Sequence, residues 1–235
     1  MPILSKLIHT LRHRTTKQKI LTAANLLHKP IYWLQTRRFD FGGYIDASKL
    51  STSSTASQAT AYQAFSPYYL KVAIRDALAT GRTFDNFIDI GSGKGRVCLF
   101  ASRFHPFRRI IGIEFSQPLI ETANANLAKW GARHVEFIHA DATQWQIPDG
   151  NSIVFLFNPF DAQIMRRFLT ANRLHFRKYD SLLVYANAVH RDAVQGCEFR
   201  CVRASNVSNC LIFAAADPVQ TGTGTPGNSA TLRSI

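Results

Sequence analysis

From Phe84 onward the chain alternates between two kinds of hydrophobic run. Short stretches rich in β-branched and aromatic residues cover Phe84–Ile90, Arg109–Glu114, His134–His139, Ser152–Phe157 and Ser181–Ala186, and each predicts a strand. Between them, over Lys94–Arg103, Gln117–Trp130 and Asp161–Phe176, apolar residues recur every three or four positions, the period of a helix with one buried face. A further helix begins near Ser66, with Pro67 in its first turn, and ends near Thr80. This alternation predicts an α/β fold, a three-layer sandwich around a mostly parallel sheet. Glu198–Val202 and Cys210–Ala215 flank Arg203–Asn209 and read as an antiparallel hairpin that completes seven strands.

The flanks are patterned differently. Between Met1 and Asp40, Ile3, Leu4, Leu7, Ile8 and Leu11, then Ile20, Leu21, Ala24 and Leu27, follow a helical period. Eight cations in that stretch face one acid, Asp40. This predicts one or two basic amphipathic helices, fitted either to an anionic partner or membrane surface or to packing with a solvated basic face. Phe39–Tyr69 is rich in Gly, Ser, Thr and aromatic residues without a sustained period, which predicts a long lid-like loop. The last residues, from Asp217, are rich in Gly, Ser, Thr and Pro and read as a disordered tail. The chain therefore divides into a basic helical extension with its loop (1–61), a catalytic domain (62–216) and a tail (217–235).

Composition narrows the partners more than the fold. The 235 residues carry a net charge of +13 and are 46% hydrophobic, which suits a packed domain that meets nucleic acid, an acidic protein or an anionic membrane. Cys98, Cys197, Cys201 and Cys210 form no Cys-x-x-Cys pair and have no His at metal-finger spacing. They read as reduced core residues, with no metal site. With no signal-peptide pattern and no span-length apolar run, the expected location is cytoplasmic or peripheral at a membrane.

Candidate chemistry gathers where strands end, the edge at which sheets of this class bind ligands. The first strand ends in Asp89 and the turn Gly91-Ser92-Gly93-Lys94-Gly95, whose glycines permit close backbone approach. The second ends in Glu114, about 20 residues later, where an acid reaches ribose hydroxyls. The third ends in Asp141, at the height of a nucleoside base, and the fourth in Asn158-Pro159-Phe160. The glycine spacing differs from Gly-x-Gly-x-x-Gly, which disfavours a nicotinamide dinucleotide, and no Gly-x-x-x-x-Gly-Lys-[Ser/Thr] phosphate loop is present. Each polar residue also has a plainer reading. Asp89 and Asp141 suit helix caps, Glu114 a surface ion pair and Asn158-Pro159 a turn.

Four segments carry a resemblance. "IDIGSGKGR", "IIGIEFS", "VEFIHADA" and "FLFNPF" resemble the successive motifs of the class I S-adenosylmethionine-dependent methyltransferases, over roughly Tyr62 to Ala215. The stretch also resembles a bacterial group of small methyltransferases similar to the seven-strand lysine methyltransferases. The resemblance implies that Gly91, Ser92, Gly93 and Gly95 pack against the methionine part and ribose of S-adenosylmethionine. It places Asp89 near the cofactor's ammonium, Glu114 on the ribose hydroxyls, and Asp141 with the Ala142 N–H at the adenine. Tyr62 resembles a tyrosine that closes over the cofactor, against the plainer reading of a core aromatic. Asn158, beside the cofactor, would hold an acceptor amine, with Pro159 and Phe160 completing the acceptor side.

The fourth motif lacks the second proline of the Asn-Pro-Pro-Tyr/Phe form of enzymes that methylate planar amides or base amino groups, which disfavours a nucleobase or glutamine acceptor. A protein lysine amine is the leading acceptor and RNA the alternative; small amines and hydroxyls stay open, as does a cofactor-binding or partner-binding module without turnover. His190, near the end of the fifth strand, is a further candidate at the mouth of the site, while Trp130 and Trp145 read as packing residues.

Overall fold

The computed structural model describes residues 16–42, 64–157, 160–205 and 210–216. Tyr62, Asn158, Pro159, the first fifteen residues, most of the lid-like loop and the tail lie outside the described residues. Helix α1 (Thr16–Thr36) precedes α2 (Pro67–Leu78). The alternating region follows as β1 (Asn86–Ile90), α3 (Arg96–Phe104), β2 (Arg109–Glu114), α4 (Gln117–Trp130) and β3 (Val135–His139). It continues through β4 (Ser152–Phe157), α5 (Ala162–Lys178), β5 (Leu182–Ala186) and α6 (Arg191–Gln195) to β6 (Phe199–Ser205) and β7 (Cys210–Ala215).

The strands form one seven-stranded sheet in the order β3-β2-β1-β4-β5-β7-β6. The first five pair in parallel, and β7 runs antiparallel to both β5 and β6. Connections leave β1 for β2 on one side and β4 for β5 on the other, so the order reverses between β1 and β4. A crevice opens at the carboxyl ends of such a pair.

The centre of the sheet is apolar on both faces, as a covered parallel sheet requires. Phe87, Ile153 and Phe155 point into the layer that holds α2 and α3, while Ile88, Val154 and Leu156 point into the layer that holds α5. Every residue of β1 is buried, including Asp89. Each fully buried aliphatic or aromatic side chain here contributes about 1.5–3 kcal/mol.

Three differences from the sequence reading have local causes. Strand β1 starts at Asn86, where its pairing with Arg109 of β2 and Ser152 of β4 begins. Strand β6 extends to Ser205, with an irregularity between Cys201 and Arg203 that lets it follow β7 further. Helix α6 is only five residues long, too short to show a period. In addition, Cys98 and Cys210 are buried as expected, but Cys201 is exposed.

The first residues of the expected lid-like loop, Phe39–Gly42, are packed against the domain. Phe39 and Phe41 are buried and stack on each other, and the Phe39 ring lies 5.1 Å from that of Trp130. Trp130 is a packing residue, covered on another side by the Arg103 guanidinium 3.7 Å away. Phe39–Gly42 is thus a strap across the α3–α4 side. Helix α1 is fastened beside it: Tyr32 meets Phe100 edge-on, and the Ser66 hydroxyl donates to Asn25 Oδ1 at 2.7 Å. Among the described residues no helix is long and apolar enough to cross a membrane.

Candidate active site

The turn after β1 takes a shape that only glycines supply easily. Gly91, Gly93 and Gly95 have φ of 78°, 53° and 81°, so alternate residues are left-handed. The Gly91 and Ser92 amides both donate to the Ile113 carbonyl, at 2.8 and 3.0 Å, which curls the loop over the end of β2. The loop closes with the Gly95 amide on the Ser92 carbonyl, and α3 begins one residue later.

Glu114 locks onto the loop from the neighbouring strand. Its Oε2 accepts from the Gly93 amide at 2.9 Å, and its Oε1 accepts from the amides of Phe115 and Ser116, both at 2.9 Å. Burial pushes this carboxyl above the usual carboxylate range, against the three amide bonds that pull it down. Such a carboxylate is held in one orientation, as a receptor for ligand hydroxyls must be.

Asp89 is 2% exposed at the next strand end. Burial first, and the nearby Glu114 second, raise its pKa to about 8. Its partner is the Cys98 thiol, 3.8 Å from Oδ2. A cation brought beside this acid would lower its pKa again and draw off its proton, pairing two charges. Asp141 stands beyond Glu114: the Ala140 amide donates to the Glu114 carbonyl at 3.0 Å. Asp141 Oδ1 accepts from the Thr143 amide and hydroxyl, both at 2.8 Å, but no helix follows: these bonds close a turn, so the helix-cap reading does not hold. Its Oδ2 accepts no hydrogen bond among the described residues. Ala142 follows, half-buried.

Asp89, the glycine loop, Glu114 and Asp141 are therefore brought together on three adjacent strands. Phe160 is buried, its ring 6.5 Å from that of Phe168 under α5. His190 is half-buried at the start of α6, and its amide lies 3.4 Å from the Tyr185 hydroxyl.

Two features escaped the sequence reading. Gly112, in the middle of β2, sits between Phe137 and the loop: a Cβ there would lie 2.5 Å from Phe137 Cδ1 and 2.8 Å from Ser92 Cβ. A lone glycine in the run "RIIGIE" is the available signal, since glycine inside a strand often marks a close approach. Lys94 is the other. It is 8% exposed, and its Nζ donates to Asp40 Oδ1 at 2.7 Å and the Gly42 carbonyl at 2.9 Å. Asn126 completes the knot by donating to the carbonyls of Asp40 and Lys94 and accepting from the Asp40 amide. The strap is thereby tied to the glycine loop.

These residues fit a nucleoside-bearing cation. The fixed Glu114 carboxylate suits hydroxyls, and the buried Asp89 suits a positive charge. The Ser92 hydroxyl is buried with no hydrogen-bond partner among the described residues. Among the same residues no group of His, Cys, Asp or Glu is arranged to hold a metal ion.

Comparison with known proteins agrees with this geometry. Residues 87–175 match a family described as a methyltransferase domain. A curated tRNA (guanine-N(7)-)-methyltransferase of Levilactobacillus brevis is 34% identical over 55 residues, 23% of this chain and 26% of that protein. One from a Synechococcus species is 41% identical over 54 residues, 23% of each. The chain thus spans about a quarter of the length of the curated relatives it matches. Among solved structures, an S-adenosylmethionine-dependent methyltransferase from Clostridium acetobutylicum superposes with a TM-score of 0.52 at 8% identity, over 63% of this chain and 92% of that one. Magnesium protoporphyrin IX methyltransferase from Synechocystis, with its cofactor bound, gives 0.51 at 13% identity, over 83% and 97%. At these identities the likeness is one of fold.

Proposed function

We propose that the chain carries a class I S-adenosylmethionine-dependent methyltransferase domain and that it methylates RNA. The observation that carries the catalytic reading is Glu114, fixed by three amides at the rim of a glycine loop. In this reading Gly91, Ser92, Gly93 and Gly95 cradle the cofactor and Glu114 takes its ribose hydroxyls. Asp89 faces its ammonium, Asp141 and the Ala142 amide meet the adenine, and Tyr62 closes over it. The catalytic domain is 62–216, with the extension and tail outside it.

When bound, S-adenosylmethionine supplies an electrophilic sulfonium methyl. The chain's own task is alignment and exclusion of water. Asn158 and Pro159, which follow β4 in the chain, serve the acceptor, and the next residue, Phe160, is buried.

Three things support RNA: the net charge of +13, the absence of any acid from Met1 to Phe39, and the tRNA methyltransferases among the relatives. The single proline of "NPF" speaks against base amino groups, but a ring nitrogen such as guanine N7 presents a free lone pair and needs only positioning. Protein lysine is the second reading, supported by the motif resemblance. There the ammonium must first lose a proton, which a dry site favours. A peripheral membrane contact is supported by Ile20, Leu27, Ile31 and Leu34, all exposed on one face of α1.

The test is to incubate the protein with radiolabelled cofactor and fractionated lysate. Ribonuclease-sensitive label is expected. Label in protein selects the lysine reading, and bound cofactor with no transfer to any fraction makes the chain a binding module and ends the proposal.

A further inference from the structure

We propose that the groove between α1, the strap and the start of α3 is where a single-stranded stretch of the RNA acceptor lies, its phosphates on Lys29, Arg37 and Arg96 and a base on Trp33. This rests on the RNA reading above. The groove has a volume of about 530 Å³. Its walls come from the inner side of α1, from the strap residues Phe39, Phe41 and Gly42, and from the start of α2. Its remaining wall is Arg96, the first residue of α3 and the neighbour of Gly95. The groove therefore opens beside the cofactor loop.

The chemistry of the lining selects the ligand. Three cations line the groove and no acid does, so it favours an anion. The cations alternate with an aromatic. Lys29, Trp33 and Arg37 follow one another every four residues, on one side of α1 and just past its end, about 6 Å apart along the axis. Trp33 is 65% exposed, an indole held in water beside two charges. Cations that follow a backbone, interleaved with an aromatic face for a base, are how single-stranded nucleic acid is held without sequence preference. An acidic peptide would use the cations but leave Trp33 without a partner.

The walls are rigid enough to act as a site. Asn25 is bonded to Ser66 across the groove, Tyr32 packs on Phe100, and the Phe39 amide donates to the Thr36 carbonyl at the turn out of α1. The strap continues to Asp40 and Lys94, so groove and glycine loop share one frame.

The experiment is fluorescence anisotropy of the full chain with a labelled oligouridylate, as a function of salt. Trp33→Ala is expected to weaken binding about fivefold to 100-fold, the range of one base–aromatic stack. The Lys29→Ala/Arg37→Ala double variant should lower the slope of log affinity against log salt by about 1.4. All three side chains are at the surface, so melting temperature and S-adenosylhomocysteine affinity should stay close to wild type. If the wild type binds the oligonucleotide and both variants bind it equally well, the groove assignment is overturned while the RNA reading stands. If polyglutamate binds as tightly and loses as much in Trp33→Ala, the groove does not select nucleic acid. If the wild type neither binds oligouridylate nor labels RNA, the RNA reading itself has failed.

Discussion

Both ends of the central strands bury polar groups, and they do so to opposite effect. At the amino ends, Asn86 donates to the Asp149 carbonyl, the Ser152 amide to the Ser181 hydroxyl, and the Ser152 hydroxyl to the Gly150 carbonyl. His175 Nε2 meets the Ser181 hydroxyl at 3.0 Å, and burial lowers its pKa to about 4, so it is neutral. That end ties loops to strands and turns inward. At the carboxyl ends, Asp89 is an acid with only a thiol beside it, the Ser92 hydroxyl has no partner among the described residues, and Glu114 is braced outward by three amides. A network whose bonds run between its own loops and strands serves stability, even with His175 Nδ1 buried there without a partner among the described residues. One that leaves donors, acceptors and charge unmatched is built for a ligand.

The comparison breaks most visibly at Gly95. Its positive φ disfavours any side chain, and a Cβ there would run into Phe137. Gly95→Ala should cost about 4 kcal/mol in urea denaturation, combining backbone strain with overpacking, and should reduce cofactor binding as well.

Asp89→Asn sharpens it, because here stability and function should part. In the fold Asp89 keeps its proton up to about pH 8, whereas the unfolded chain releases it near 4. Its contribution to stability is full at low pH and is lost as pH rises from about 4 to 8. Asparagine removes that penalty, so the variant should be several kcal/mol more stable than wild type at pH 8. It should nonetheless bind S-adenosylmethionine less tightly. A variant that is no more stable would place Asp89 in a wetter setting than the structure shows.

His175 should show the opposite slope at the other end of the sheet. Its folded pKa lies below the unfolded value of 6.5, so stability is lost as pH falls from about 6.5 to 4. The loss should be about 2 kcal/mol and is best read in the Asp89→Asn background, where the opposing titration is gone. His175→Gln should flatten that curve. The smallest effect belongs to Lys94→Met, which cuts the strap from the loop. About 1 kcal/mol of stability should go, because Asp40 is mostly exposed. Cofactor dissociation measured by stopped flow should quicken.

The architecture was legible because the central strands are buried on both faces and their runs stand out. β2, β4 and the position of α4 read straight from "RIIGIE", "SIVFLF" and the stretch from Gln117 to Trp130. The hairpin was legible too, but not its placement: that β7 lies inside β6 depends on pairing with β5, a contact between distant segments. At the site, Glu114 could be picked from its distance to the glycines, yet the amides that fix it come from a different loop and from its own turn. Lys94 could be seen only as a poor match to a phosphate loop, since its partners lie more than fifty residues upstream. Phe39 and Phe41 sat in a stretch whose Gly, Ser and Thr content masked two buried aromatics.

The whole account depends on a carboxylate at the end of β2 gripping the cofactor's ribose. Calorimetric titration of S-adenosylhomocysteine into wild type and Glu114→Ala, with folding verified by circular dichroism, measures this directly. The account predicts a loss of at least about 100-fold in affinity, near 2.7 kcal/mol. A folded variant that binds as tightly as wild type would contradict it.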